Sequence, residues 1–160
     1  MKKGFVFIIA IIAILSLAAC GASDKAANND VKLDMPAVYE KLTATVELPP
    51  MLELPEDLVL DLCGIKAEDV AYAKVEICED SLRTDEIWLI EANDEDAAKT
   101  IEDLAQKRLK AKGEESITYS PEQYAVVEKA ELIRTGKYVA LFVSPDSAAL
   151  AEIFRAEAGL

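Results

Sequence analysis

The spacing of apolar residues changes several times along this chain, and each change predicts a different element. From residue 5 to 15 the run "FVFIIAIIAIL" is apolar without interruption, and from residue 21 to about residue 33 the chain is small and polar with no period. In "MPAVYEKLTATVE" the residues Val38, Tyr39, Leu42 and Val46 then recur on one helical face. Asp34 stands where a cap is needed, and Pro49-Pro50 ends the pattern. "PEDLVLDLCG" predicts a second, short helix, with Pro55 in its first turn, Leu58 and Leu62 facing inward and Gly64 at its end. These two helices are expected to form one N-terminal layer.

The period then falls to two in "DVAYAKVEICE" and "TDEIWLIEA", the signature of strands. Ala71, Ala73, Val75 and Ile77 share one face of the first strand, and the short "DSLRTD" between the two predicts an antiparallel hairpin. A long helix follows in "EDAAKTIEDLAQKRLKAKG", capped by Asn93 or Asp94, with Ala98, Ile101, Ala105 and Leu109 inside and Gly113 as its stop. Ser120, Pro121 and Gln123 spell a capping box that opens another helix. "ELIRTG" and "KYVALFVS" make a second hairpin, and the second of these strands is apolar on both faces, as a covered strand should be. A closing helix carries Leu150, Ile153 and Phe154 inward. The expected fold is therefore α+β, a four-stranded, mainly antiparallel sheet of two hairpins packed with helices in the order ααββααββα.

The first residues change the picture from fold to location. Lys2 and Lys3 precede the apolar run, which is shorter than the roughly 20 residues a spanning helix needs. Leu17-Ala18-Ala19-Cys20 closely resembles the lipobox of bacterial lipoproteins, in which the cysteine sulfur is acylated and the chain is cut just before it. Residues 1–19 thus read as a lipoprotein signal peptide, residues 20–33 as a lipidated cysteine and flexible tether, and residues 34–160 as a single α+β domain. The expected location is the outer, extracytoplasmic face of the cell membrane, with membrane lipid reached through Cys20. A tether of about 12 residues reaches roughly 20 Å.

Charge and chemistry narrow the function. The chain has 30 acidic against 17 basic residues, and losing Lys2 and Lys3 takes its net charge from −13 to −15. Phosphate backbones and anionic head groups repel such a surface, so nucleic acid is excluded as a partner. With no histidine there is no Ser-His-Asp triad, Cys-His pair or histidine-containing zinc site, and the "NDED" run lacks the glycine and distal glutamate of a calcium loop. No metal and no cofactor is expected. Cys63 and Cys78 form an even pair in an exported domain and are either a candidate disulfide or two small buried hydrophobes.

Several stretches carry a family resemblance. Asp85-Glu86-Ile87 opening a strand, Tyr119-Ser120-Pro121 opening a helix and Gly136-Lys137-Tyr138-Val139 in the last hairpin stand in the order found in small bacterial lipoproteins of the domain of unknown function 4358 family. The chain resembles that family over about residues 34–157. The resemblance implies an anchored extracytoplasmic domain and brings no catalytic residues with it.

Function is accordingly read as a binding or interaction module of the cell envelope, with an envelope protein, a peptide or a glycan as partner. Its candidate ligand face is an aromatic group, Tyr72, Trp88, Tyr138 and Phe142, expected on one sheet face. Two alternatives stand beside it: an enzyme using carboxylates alone, with Asp85-Glu86 the pair to inspect, and a small accessory solute-binding protein of a transporter. The first is disfavoured because strand neighbours point to opposite faces. The second is disfavoured because the domain is too short for two lobes.

Overall fold

The computed structural model describes residues 32–160; Cys20, the signal-like segment and most of the tether lie outside the described residues. In chain order the elements are α1 (Met35–Thr45), β1 (Met51–Glu53), α2 (Glu56–Cys63), β2 (Val70–Cys78), β3 (Glu86–Ala92), α3 (Glu95–Tyr119), α4 (Pro121–Glu128), β4 (Glu131–Thr135), β5 (Tyr138–Val143) and α5 (Ser147–Ala158). The fold is α+β with one antiparallel sheet, and the sheet has five strands rather than four, in the order β1-β2-β3-β5-β4. The added strand is β1, three residues that pair with the last part of β2, Met51 opposite Cys78 and Glu53 opposite Glu76. Three residues carry no readable period. α1 stops at Thr45, and Pro49-Pro50 belong to the connection that leads into this edge strand.

Helices cover both faces of the sheet. On one side α1 and α5 pack over Ile87, Leu89, Ala140 and Phe142; on the other α2, α3 and α4 pack over Val75, Trp88, Ile90, Val139 and Leu141. That is why β3 and β5 are buried on both faces, apart from a half-buried Glu91. The expected single layer of α1 and α2 is not formed. Val38 and Leu42 of α1 lie in the first core and Val59 and Cys63 of α2 in the second. On α2 the inward residues are Val59 and Cys63, while Leu58 and Leu62 are exposed: the helix is rotated by one position from the expected face. Leucines at 58, 60 and 62 allow no single apolar stripe, so tertiary contact chooses the face.

Local signals decided most helix starts. Asp34 Oδ1 accepts from the Ala37 N–H at 3.2 Å, and Asp94 Oδ1 accepts from the Ala97 N–H at 2.8 Å. Gly64 ends α2 with φ +76°, and Gly136, at φ +51°, sits in the two-residue loop joining β4 to β5. Tyr39 of α1 is latched to β2, its hydroxyl donating to Glu76 at 2.8 Å with the Lys74 ammonium 4.4 Å from its ring. Burial and the Glu76 carboxylate push the Tyr39 phenol up to about 12.

Gly113 does not stop α3, which runs on to Tyr119. A glycine ends a helix when it takes a left-handed conformation; Gly113 stays helical, with α4 lying over it. A Cβ there would meet Tyr124 at 3.7 Å and Val127 at 3.9 Å, ordinary contact distances. Gly113→Ala is therefore expected to stabilise the fold by roughly 0.5–1 kcal/mol, the usual difference within a helix. Urea denaturation of the variant beside the parent checks the sign.

Candidate functional site

The sequence marks residues 83–86 as the end of a turn and the start of a strand with Asp85-Glu86 as an acid pair, and this stretch organises the largest cleft described. Glu86 is the first residue of β3, on the face covered by α3, and its side chain is fully buried. It persists as a carboxylate because three donors meet it. Arg108 forks onto it, Nε to Oε1 at 3.1 Å and Nη2 to Oε2 at 2.9 Å. Lys112 Nζ lies 2.8 Å from Oε2, and the indole N–H of Trp88 donates to Oε1 at 2.7 Å. Arg108 and Lys112 stand four apart on α3, one turn above the other, so a single helix face delivers both.

Burial alone would raise the Glu86 carboxyl, but the hydrogen bonds from Arg108 and the charges of Lys112 and Arg108 outweigh it and hold the group below the usual carboxylate range. Cys63 lies within the same field. Burial first, then the Glu86 charge, push its thiol up to about 12.

Asp85 is almost as deeply buried and takes a bidentate fork from Arg83, 3.0 Å at each oxygen. Both members of the inspected acid pair are therefore bound by cations of the same molecule, on separate partners. Beside them Gln123 departs from its expected role. Ser120 Oγ accepts from the Gln123 N–H at 3.3 Å as a cap should. The Gln123 carboxamide turns instead to the hairpin, its Oε1 accepting from Thr84 N at 2.9 Å and Thr84 Oγ1 at 3.1 Å. Lys112 Nζ donates to the Thr84 carbonyl at 3.0 Å. The β2–β3 turn is thereby tied to the end of α3 and the start of α4.

Between these parts lies a cleft of about 660 Å³. Its length comes from α3, whose 25 residues extend about 37 Å, well past the seven-residue β3 at about 23 Å. Arg108, Lys112, Ser116 and Ser120 line it, with Arg83 and Asp85 across from them. Leu82 and Tyr119 stand at its lips, each 82% exposed.

The aromatic group expected as a ligand face is not a face. Trp88, Tyr138 and Phe142 are buried, Tyr72 is half-buried, and strand alternation puts Trp88 in the core under α3 while the other three belong to the α1–α5 side. A covered sheet leaves no room for stacking. The Tyr138 hydroxyl instead accepts from the Leu33 N–H at 3.2 Å, where the described chain begins. Cys63 and Cys78 are both buried free thiols. Cys63 packs under α2, and Cys78, next to Ile77 of that same core, is turned by alternation to the other face. Among the described residues no three Cys, Asp or Glu side chains are grouped to hold a metal ion, and no helix is long and apolar enough to cross a membrane.

Replacing the buried charge tests the centre of this site. Glu86→Gln leaves Arg108 and Lys112 without their counter-charge and should cost about 3–5 kcal/mol at neutral pH. Because the folded-state value of Glu86 lies below the unfolded value of about 4.3, its contribution is fully present above that pH and is lost as pH falls through the folded value. Urea melts at pH 7 and at pH 3 should show the gap between parent and variant narrowing in acid; an unchanged gap would refute the assignment.

No curated protein and no solved structure matches the chain. A family model does, that of a domain of unknown function (DUF4358), over residues 44–144. The matched span runs from the end of α1 to the end of β5 and takes in the whole Glu86 centre and both walls of the cleft. The chain belongs to the DUF4358 family.

Proposed function

We propose that this protein is a binding module held at the outer face of the cell membrane by acylation of Cys20, and that the cleft beside Glu86 is where it takes its partner. The lipobox-like Leu17-Ala18-Ala19-Cys20 supports the anchor, since two or three acyl chains hold a protein stably where one does not. The observation that carries the binding reading is the position of the cleft. The described chain enters at Leu33 beside Tyr138, which is paired with Glu91 near the last residue of β3, whereas the cleft surrounds the first, Glu86. At about 3.3 Å per residue those levels are roughly 17 Å apart along the strand. A domain tethered from its Leu33 end presents the cleft away from the bilayer.

The size of the cleft falls in the range of ligand sites, about 300–1,000 Å³, and its rim combines exposed apolar groups with polar side chains fixed by the core. An enzyme of paired carboxylates has less support, because Asp85 and Glu86 are each already neutralised by a guanidinium.

Two measurements check the proposal in cells that make the protein. Metabolic labelling with a clickable fatty acid should mark the parent chain and not Cys20→Ala, which should appear in the soluble fraction or uncleaved; an unlabelled parent would remove the anchor. A photo-crosslinking residue placed at Tyr119 should give a discrete adduct that one placed at Lys137, at the opposite end of the sheet, does not. Equal labelling from both, or none from Tyr119, would count against the cleft.

A further inference from the structure

Resting on that reading of the cleft, we infer that its ligand is a peptide carboxylate flanked by an apolar side chain, with Arg108 and Lys112 receiving the acid and Leu82 and Tyr119 the apolar group. The argument begins with charge. Of the side chains lining the cleft, Arg83, Arg108 and Lys112 are positive and Asp85 and Glu115 negative; with Glu86, buried beneath Arg108 and Lys112, the charges balance at zero. Four other hollows on the described surface are negative. One is lined by Lys32 with Asp34 and Glu91, one by Glu53 and Glu56, one by Glu47 and Glu76, and one by Lys110 with Glu114 and Glu128. On a chain of net charge −13 the cleft is thus less repulsive to an anion than those four hollows.

The floor also has unused donor capacity. Two cations meet one carboxylate at Glu86, so their N–H groups are not all taken up by that counter-charge. Arg108 uses Nε and Nη2 on Glu86, and its Nη1 has no acceptor among the described residues. Lys112 has three N–H bonds and two acceptors, Glu86 and the Thr84 carbonyl. Both side chains are mostly covered, 22% and 12% exposed, so their positions are set before any ligand arrives. A planar oxyanion suits such donors, and the hydroxyls of Ser116 and Ser120 stand on the same wall.

The apolar part is equally local. Leu82 and Tyr119 are among the most exposed large apolar residues described, and they stand at the mouth of this one cleft. They are held there by rigid supports, since the Thr84–Gln123 bonds fix the turn that bears Leu82 to the helix junction that bears Tyr119. A peptide offers an acid and an apolar side chain a few ångströms apart, and a free C-terminal apolar residue offers both on one Cα. A glycan offers no such apolar branch, and a free inorganic anion would leave both lips uncovered.

The test uses the full-length protein in detergent and the fluorescence of Trp88, the single tryptophan, whose N–H donates to Glu86. The probes are N-acetylated tripeptides with an apolar C-terminal residue, each as free acid and as amide, and amidated tripeptides with an internal aspartate beside an apolar residue. The free acids should perturb Trp88 and bind at least about tenfold more tightly than their amides, as expected for hydrogen bonds to a charged group. Tyr119→Ala and Leu82→Ala alter only exposed side chains and should each weaken the acid severalfold without changing the urea midpoint. Lys112→Met should abolish the difference between acid and amide. If the internal aspartate peptides alone bind, the acid is a side chain; if the free acids alone bind, it is the C-terminus. Amides binding as tightly as acids, or no peptide binding while the Tyr119 crosslink still forms, would overturn the carboxylate assignment and leave the cleft as a binding site; loss of both would remove the cleft as well.

Discussion

The fold is organised around one buried carboxylate. Taking Glu86 out of water would cost several kcal/mol if it stood alone, so the sequence must supply opposite charge at the right place, and it does so from a helix that begins only after the strand has ended. Arg108 and Lys112 reach Glu86 because α3 runs antiparallel to β3 and returns to the level where the strand started. The pairing therefore constrains how far α3 has advanced along the sheet. A slip of one helical turn, four residues, would replace one of those cations with Leu104 or Ser116 and leave the carboxylate half-paired. This is specificity of register, which hydrophobic packing through Ala98, Ile101 and Ala105 enforces more loosely.

From that register the asymmetry of the molecule follows. Once Arg108 is fixed at the first residue of β3, everything after Lys112 in α3 has to overhang the sheet, and α4 turns back over Gly113. The overhang faces the β2–β3 turn across open space. The cleft is thus a consequence of matching a long helix to a short strand, and its polar floor is the same centre that holds the two together. At the far end of the sheet, on the face covered by α1 and α5, the Tyr138 hydroxyl holds the incoming chain at Leu33.

The sequence made the class of fold readable, and most of its elements, because those rest on local rules. Asp34, Asp94 and Ser120 cap the helices they were expected to cap, and β5, apolar on both faces, is covered on both. What it hid depends on partners distant in the chain. β1 is a strand only because β2 offers it an edge, and α2 buries Val59 rather than Leu58 because of where α3 lies. The aromatic residues looked like a surface since alternation within a single strand does not reveal how many layers cover it. For the site, Asp85-Glu86 was visible as a pair of acids and Ser120 with Gln123 as a cap. Arg108 and Lys112 read as two more charges on a helix whose outer face is full of them; only their four-residue spacing opposite an acid at a strand start could have marked them, and the topology had to be known first.

The chemistry of the cleft also explains how an acidic protein could select an acidic group without attracting every anion near it. Screening in physiological salt limits the field of the remote carboxylates to about 8 Å, so the net charge of −13 acts as a weak, general repulsion at the surface. Inside the cleft the relevant groups are few, close and already ordered, and partial burial leaves their hydrogen bonds less screened than those at the surface. A ligand that can place one planar acid on Arg108 and Lys112 gains from them, whereas a polyanion or a lipid head-group layer too large to enter meets only the repulsive exterior. Discrimination on such a surface rests on shape and depth, with long-range charge setting which molecules are kept away.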